Sequence, residues 1–179
     1  MKAYLILTAV GPDRPGLVDE VSAYLADKDL NIESSRMAVL GGEFALILLA
    51  SGEEPGIEQL AVKPEGLAEA SGLAIFARKT DPPESRVTPA SLPYSIVASG
   101  MDHPGIVQQV SRVLHRFQVN IESMDTRVAP APVSGTPIFT MEAVVSVPAS
   151  IKIREIKKKL FELGDSLNMD IEFEPVESG

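Results

Sequence analysis

A stretch beginning at Gly11, GPDRPGLVDEVSAYLADKDLNIES, recurs at Gly100 as GMDHPGIVQQVSRVLHRFQVNIES. The two align without gaps over about 24 residues, and about half of the positions are identical. Gly11, Asp13, Pro15, Gly16 and Val18 match Gly100, Asp102, Pro104, Gly105 and Val107. Asn31-Ile32-Glu33-Ser34 matches Asn120-Ile121-Glu122-Ser123. A repeat of this length requires two copies of one structural unit of roughly 80 residues, which excludes most single-domain architectures for the chain. The copies are expected over residues 1–80 and 92–179. Residues 81–91 join them, in a stretch from Thr80 to Pro93 that contains Pro82, Pro83, Pro89 and Pro93 and reads as an extended linker.

Each copy reads β-α-β-β-α-β. In the first, Tyr4–Val10 has strand character, and Asp13 is expected to cap a helix with Pro15 in its first turn. Leu17, Val18, Val21, Leu25 and Ala26 then recur at helical spacing. Strands over Leu30–Leu40 and Phe44–Ala50 flank Gly41-Gly42, a tight hairpin turn. A helix over Ile57–Ala70 must break near Pro64, and Leu73–Lys79 closes the copy. The second copy repeats this with strands at Tyr94–Ser99, Val119–Val128, Ile138–Val147 and Met169–Glu174. Its helices carry Ile106, Val110 and Leu114, then Ile156, Leu160 and Leu167. A proline-bearing insert, Pro130–Pro137, makes its hairpin a protruding loop.

That order is the split-βαβ, ferredoxin-like arrangement, an α+β fold with two helices on one face of an antiparallel sheet. The other face is left open. In the second copy Phe139, Met141, Ala143, Val145 and Val147 alternate with more polar positions, as a half-buried strand does. In the first copy Tyr4–Val10 and Phe44–Ala50 are apolar on both sides, so a cover over the open face is expected from the other copy or from a second chain, and a homodimer with it.

Function is narrowed first by what is missing. Sixteen Lys and Arg against 25 Asp and Glu give a net charge of −9, which opposes direct contact with a nucleic-acid backbone. There is no cysteine, so disulfides, thiolate metal sites and cysteine nucleophiles are excluded, as suits a reducing cytoplasm. No apolar run approaches the roughly 20 residues of a membrane span. The two histidines, His103 and His115, lack metal-site spacing. No phosphate-loop, nucleophile-elbow or dinucleotide fingerprint occurs. No cofactor, metal or catalytic residue is therefore expected. Lys152, Arg154, Lys157, Lys158 and Lys159 form a basic run on a helix with an intact apolar stripe, which reads as a solvated face.

What remains is the Gly-x-Asp-x-Pro-Gly loop. Gly11 and Gly100 permit reversal after a strand, and Gly16 and Gly105 leave room for a ligand to approach the backbone. Free N–H groups at a helix start favour a carboxylate. Asp13 or Asp102 can meet an ammonium, and the amide of Asn31 or Asn120 can donate and accept. Together these suit a free amino acid. Equally, the loop can be only a good helix start and the Asn only a turn residue. The loop, its helix and the Asn-Ile-Glu-Ser strand resemble the ACT domain, an amino-acid-sensing module. NIESSRMAVLGGEFALILLASG, from Asn31, is close to the second and third strands of the glycine cleavage repressor family, which has two such modules.

In ACT modules the ligand often lies between paired domains, on the loop of one and the second strand of another. By resemblance the binding residues are Asp13, Arg14, Pro15, Gly16, Leu17 and Asn31, with Asp102, His103, Pro104, Gly105, Ile106 and Asn120 in the second copy. The resemblance implies a non-catalytic cytoplasmic regulator. It would answer to a small amino acid, glycine or serine, and act through a partner transcription regulator rather than on DNA. A structural or protein-interaction module with a vestigial site is the alternative. An enzyme of the acylphosphatase kind would need an arginine cradle, and Arg14 has no counterpart in the second copy, where His103 stands.

Overall fold

The computed structural model of the chain describes residues 2–85 and 90–176. Part of the expected linker, 86–89, lies outside the described residues, as do 1 and 177–179. The chain divides into two compact units, residues 1–87 and 88–179. The first contains β1 (Lys2–Pro12), α1 (Leu17–Ala26), β2 (Asn31–Leu40), β3 (Glu43–Glu53), α2 (Glu54–Val62), α3 (Glu65–Ser71) and β4 (Ala74–Thr80). The second contains β5 (Ser91–Met101), α4 (Ile106–Arg116), β6 (Asn120–Pro130), β7 (Pro137–Pro148), α5 (Ile153–Leu167) and β8 (Met169–Pro175). Ser91, at the end of the expected linker, is thus the first residue of β5.

The two sheets have the same antiparallel topology, β2-β3-β1-β4 and β6-β7-β5-β8. This is the ferredoxin-like order in each unit, as the repeat predicts. Gly41 and Gly42 both have positive φ, 60° and 86°, and join Leu40 to Glu43 as a two-residue turn whose twist matches that of the strands. The second hairpin has no such dipeptide. Its loop closes instead through Ala131 N–H to the Thr136 carbonyl, 2.8 Å, and leaves Val133 wholly exposed. Pro64 has no N–H to continue a helix, so α2 ends at Val62 and α3 starts at Glu65. α5 contains no proline and runs unbroken for 15 residues.

Each unit has its own core. Leu17, Val21 and Leu25 face the inner side of β1 and β3, where Leu5, Leu7, Phe44 and Leu48 are buried. Ile106, Val110 and Leu114 occupy the matching positions against Ile96, Ala98, Met141 and Val145. The i, i+4 spacing aligns each triplet on one helical face. Each leucine so buried contributes about 1.5–3 kcal/mol. Val18 and Ala26, also in the apolar pattern of α1, point to solvent, as does Val107 in α4. β1 alternates after all. Ala3, Leu5, Leu7 and Ala9 point inward, while Tyr4, Ile6 and Thr8 are half-buried and Val10 is exposed on the open face.

Candidate functional site

The repeated loop is built the same way twice. The Asp13 N–H donates to the Gly42 carbonyl at 2.9 Å, and the Asp102 N–H to the Pro137 carbonyl at 3.0 Å, so each loop is pinned to the neighbouring hairpin. The chain then turns through Gly16, φ 95°, or Gly105, φ 97°. The first helical bonds run from the Glu20 N–H to the Gly16 carbonyl and from the Gln109 N–H to the Gly105 carbonyl.

Three expectations change here. Asp13 does not cap α1: the residue before the helix is Gly16, and no side chain caps it among the described residues. Pro15 precedes the helix instead of lying in its first turn. The reason is the left-handed turn at Gly16, which side-chain-bearing residues resist and which sets the helix direction only after it has been passed. Gly11 and Gly100 lie inside β1 and β5 and make no reversal. A Cβ on Gly11 would stand 2.8 Å from Leu73 Cδ2, and one on Gly100 2.6 Å from Met169 Cγ. These glycines admit the residues that lead into β4 and β8.

The first N–H groups of a helix have no intrahelical acceptor, and with no side-chain cap they remain available to an anion. The two loops differ in what surrounds those groups. The first turn of α1 carries Asp19 and Glu20, whereas α4 carries Gln108 and Gln109 at the matching positions. Arg14 is engaged by two bonds to the Glu20 carboxylate, both 2.6 Å, and a third to the Ser71 carbonyl at 3.0 Å. The Arg14 hydrogen bonds hold the Glu20 carboxyl below its ordinary range. Arg14 therefore latches the loop to α1 and to the end of α3. A shallow groove over this loop is lined by Asp13, Gly16, Leu17, Val18, Met37 and Phe44 among others. Leu17 and Ile106 are buried, so their side chains anchor the helices and only their backbone faces the loop. His103, half-buried, places Nδ1 3.2 Å from the Pro104 carbonyl, where its N–H can donate. Pro104 and Asp102 are exposed.

Asn31 and Asn120 lie elsewhere. They open β2 and β6, while each loop meets the hairpin at the far end of those strands. The separation is the length of β2, roughly 30 Å at about 3.3 Å per residue. No single amino acid spans a loop and the Asn of the same unit. Each Asn instead belongs to a small polar network at the start of its strand, which the loop motif does not reveal. Pairing shifts register between Ile32 and Ser34, and again between Ile121 and Ser123, so Glu33 and Glu122 sit at bulges.

Ser51 Oγ donates to Glu33 Oε1 at 2.5 Å, and Lys2 Nζ at 2.9 Å. The Ser51 hydroxyl, then Lys2 and Asn31, hold the Glu33 carboxyl down to about 2. Asn120 Nδ2 donates to Glu122 Oε1 at 2.7 Å, and with Ser146 it holds that carboxyl below its ordinary range. The signal was in the sequence, since the Glu recurs within Asn-Ile-Glu-Ser. Only the bulge shows what it does.

The lysines of the basic run, on α5 and just before it, face carboxylates: Lys157 with Glu174 at 2.7 Å, Lys159 with Glu162 at 2.6 Å, and Lys158 with Glu162 and Lys152 with Glu155, both at 3.8 Å. His115 is exposed on α4. No group of three or more His, Cys, Asp or Glu suited to a metal occurs among the described residues. Nor, among them, is any helix long and apolar enough to cross a membrane.

Comparison with known proteins matches this geometry to one family. The ACT domain model matches residues 3–77 and 95–174, one match for each unit. The glycine cleavage system transcriptional repressor of Escherichia coli (strain K12) is 30% identical over 166 residues, covering 92% of this chain and 86% of the repressor. The Shigella flexneri repressor matches with the same figures. A crystal structure of an unknown protein from Galdieria sulphuraria superposes with a TM-score of 0.83 at 31% identity, covering 99% of this chain and 100% of that one.

Proposed function

The chain belongs to the ACT-domain family, and from that premise we propose that it is a non-catalytic, amino-acid-responsive regulator acting through a partner transcription regulator. The observation that carries the ligand is the start of α4. Gly105 opens that helix with no side-chain cap, and glutamines occupy the first-turn positions that are acidic in α1. A carboxylate placed there meets free N–H groups and the positive end of the helix dipole. Asp102, exposed in the same loop, is the group to meet an ammonium. Pro104, Ile106 and His103 shape the loop. Glycine is the first candidate and serine the next, because the Escherichia coli relative is a repressor of the glycine cleavage system. Since loop and Asn are at opposite ends of a unit, the amide that orients the ligand, Asn31 or Asn120, comes from a second copy of the chain in a homodimer.

A structural role is favoured for the first loop by a specific observation. Asp19 and Glu20 lie in the first turn of α1, where α4 has glutamines, and Arg14 is held by Glu20 and Ser71. An arriving carboxylate meets like charge there. A net charge of −9 likewise opposes direct DNA contact, so regulation passes through a protein in the cytoplasm.

The test is titration calorimetry with glycine and with serine, on the wild-type chain and on Gln108→Asp/Gln109→Glu. The double substitution transplants the acidic first turn of α1 onto α4. Acidic residues in a first turn favour the helix, so the fold is kept while the anion site is spoiled. Binding to the wild type that the variant loses is the expected result. No binding to the wild type, or equal binding to both, would overturn the proposal.

A further inference from the structure

The open faces of the two sheets have diverged to opposite character at matching positions. One row across the first sheet reads Arg36, Ile47, Thr8, Phe76. The matching row of the second reads Asp125, Glu142, Val97, Glu172. Taking the adjacent rows on both sides, the first face has Arg36 and Arg78 and, among the described residues, no carboxylate. The second adds Asp170 and Glu174 to its acidic set, against Arg127. Glu174 is the one that Lys157 engages. Ile47 is 47% exposed and Phe76 61%, so the first face is an apolar strip between two arginines. On the second, Val97 and Val144 lie among the carboxylates at 37% exposure each.

Asp125 and Glu142 stand directly opposite each other on neighbouring strands. Like charges so placed destabilise a sheet in water. A cationic surface laid over the pair reverses the sign of that contribution.

We propose that the open face of the first unit docks on the open face of the second unit of another copy of the chain, arginines against carboxylates and apolar strip against apolar strip. This rests on the homodimer of the function proposed above and names its surface, and loss of amino-acid binding from a chain that still dimerises leaves it standing. Charge selects the pairing. Two first faces would bring arginines together, two second faces carboxylates, and both repel. Each chain carries one face of each kind, so a pair of chains has the surfaces to make the contact twice. Four strands at about 4.8 Å spacing and about seven residues of length give each face roughly 450 Å². Two contacts, each burying two faces, remove roughly 1,800 Å², within the range of stable interfaces.

Sedimentation of the full chain tests this. The wild type should be a dimer at tens of micromolar. Arg36→Glu/Arg78→Glu should weaken dimerisation at least tenfold, with circular dichroism unchanged. Adding Glu142→Arg/Glu172→Arg to that variant should restore the dimer to within a few-fold of wild type. A monomeric wild type overturns the proposal. So does a dimer that the arginine reversals leave unmoved, or a loss that the compensating reversals fail to repair.

Discussion

Gly105→Ala separates two reasons for the glycine at the start of α4. Gly105 has φ 97° and ψ 0°. A Cβ built there would find Gln109 Nε2 at 3.8 Å, an ordinary contact, so the substitution causes no clash. Its cost is conformational. Holding an L-residue in left-handed backbone costs about 1–2 kcal/mol, against which alanine recovers about 0.4–1 kcal/mol by restricting the unfolded chain. The net loss is about 1 kcal/mol. That lowers the melting temperature by about 4–8 °C if the second unit melts by itself, or about 2–4 °C if the whole chain melts as one. Gly105→Asn should lose less, because asparagine accepts positive φ more readily. Thermal melting of ligand-free protein, followed by circular dichroism, reads all three. An unchanged melting temperature for the alanine variant, or a larger loss for asparagine, would refute the backbone explanation. Glycine would then be present only to admit a ligand. Gly100→Ala is the steric contrast, with a Cβ 2.6 Å from Met169 Cγ and 3.2 Å from Met169 Cα.

Two further outcomes are expected. The Glu33 carboxyl is held at about 2, below the ordinary 4.5, by the Ser51 hydroxyl first and then by Lys2 and Asn31. A depressed folded-state value stabilises above the unfolded one, so the contribution is complete above about pH 4.5 and disappears as the pH falls through about 2. The stability gap between wild type and Glu33→Gln in urea should therefore be present at pH 6 and close by pH 2, and a gap independent of pH contradicts the network. Within α4, Leu114→Ala should cost about 2–5 kcal/mol and Val107→Ala about 0.5 kcal/mol or less, measured by chemical denaturation. Similar losses for both would mean that the inner face of the helix is misassigned.

The repeat and the strand patterns made the fold legible, because burial on one face of a strand or helix leaves a period in the sequence. Leu17, Val21 and Leu25 recur with that period, and Gly41-Gly42 marks its turn by composition alone. Val18 fits the same period loosely and is half exposed, since it lies beside the buried stripe and not on it. The loop was legible as a motif but not as a geometry. Asp-x-Pro-Gly looks like a capped helix start, and only the backbone angles show that Gly16 makes the turn. The distance between the loop and the Asn of its own unit was not legible. Asn31 lies close in sequence to the loop, yet a strand that starts at one end of the sheet places it far from a loop at the other. The opposed charges of Arg36 and Asp125 were also in the aligned copies, but their meaning depends on which face of the sheet they occupy.

Melting of the full chain in the presence of each free amino acid tests the regulatory function most directly. A ligand that binds only the folded state adds about 2.7 kcal/mol at a hundredfold excess over its dissociation constant. Across domains of this size that is a rise of several degrees. Glycine or serine at about ten millimolar, a hundredfold excess for a dissociation constant of about 0.1 mM, should produce it in the wild type and not in Gln108→Asp/Gln109→Glu. A melting curve that no amino acid moves would contradict amino-acid sensing and leave the chain a protein-interaction module.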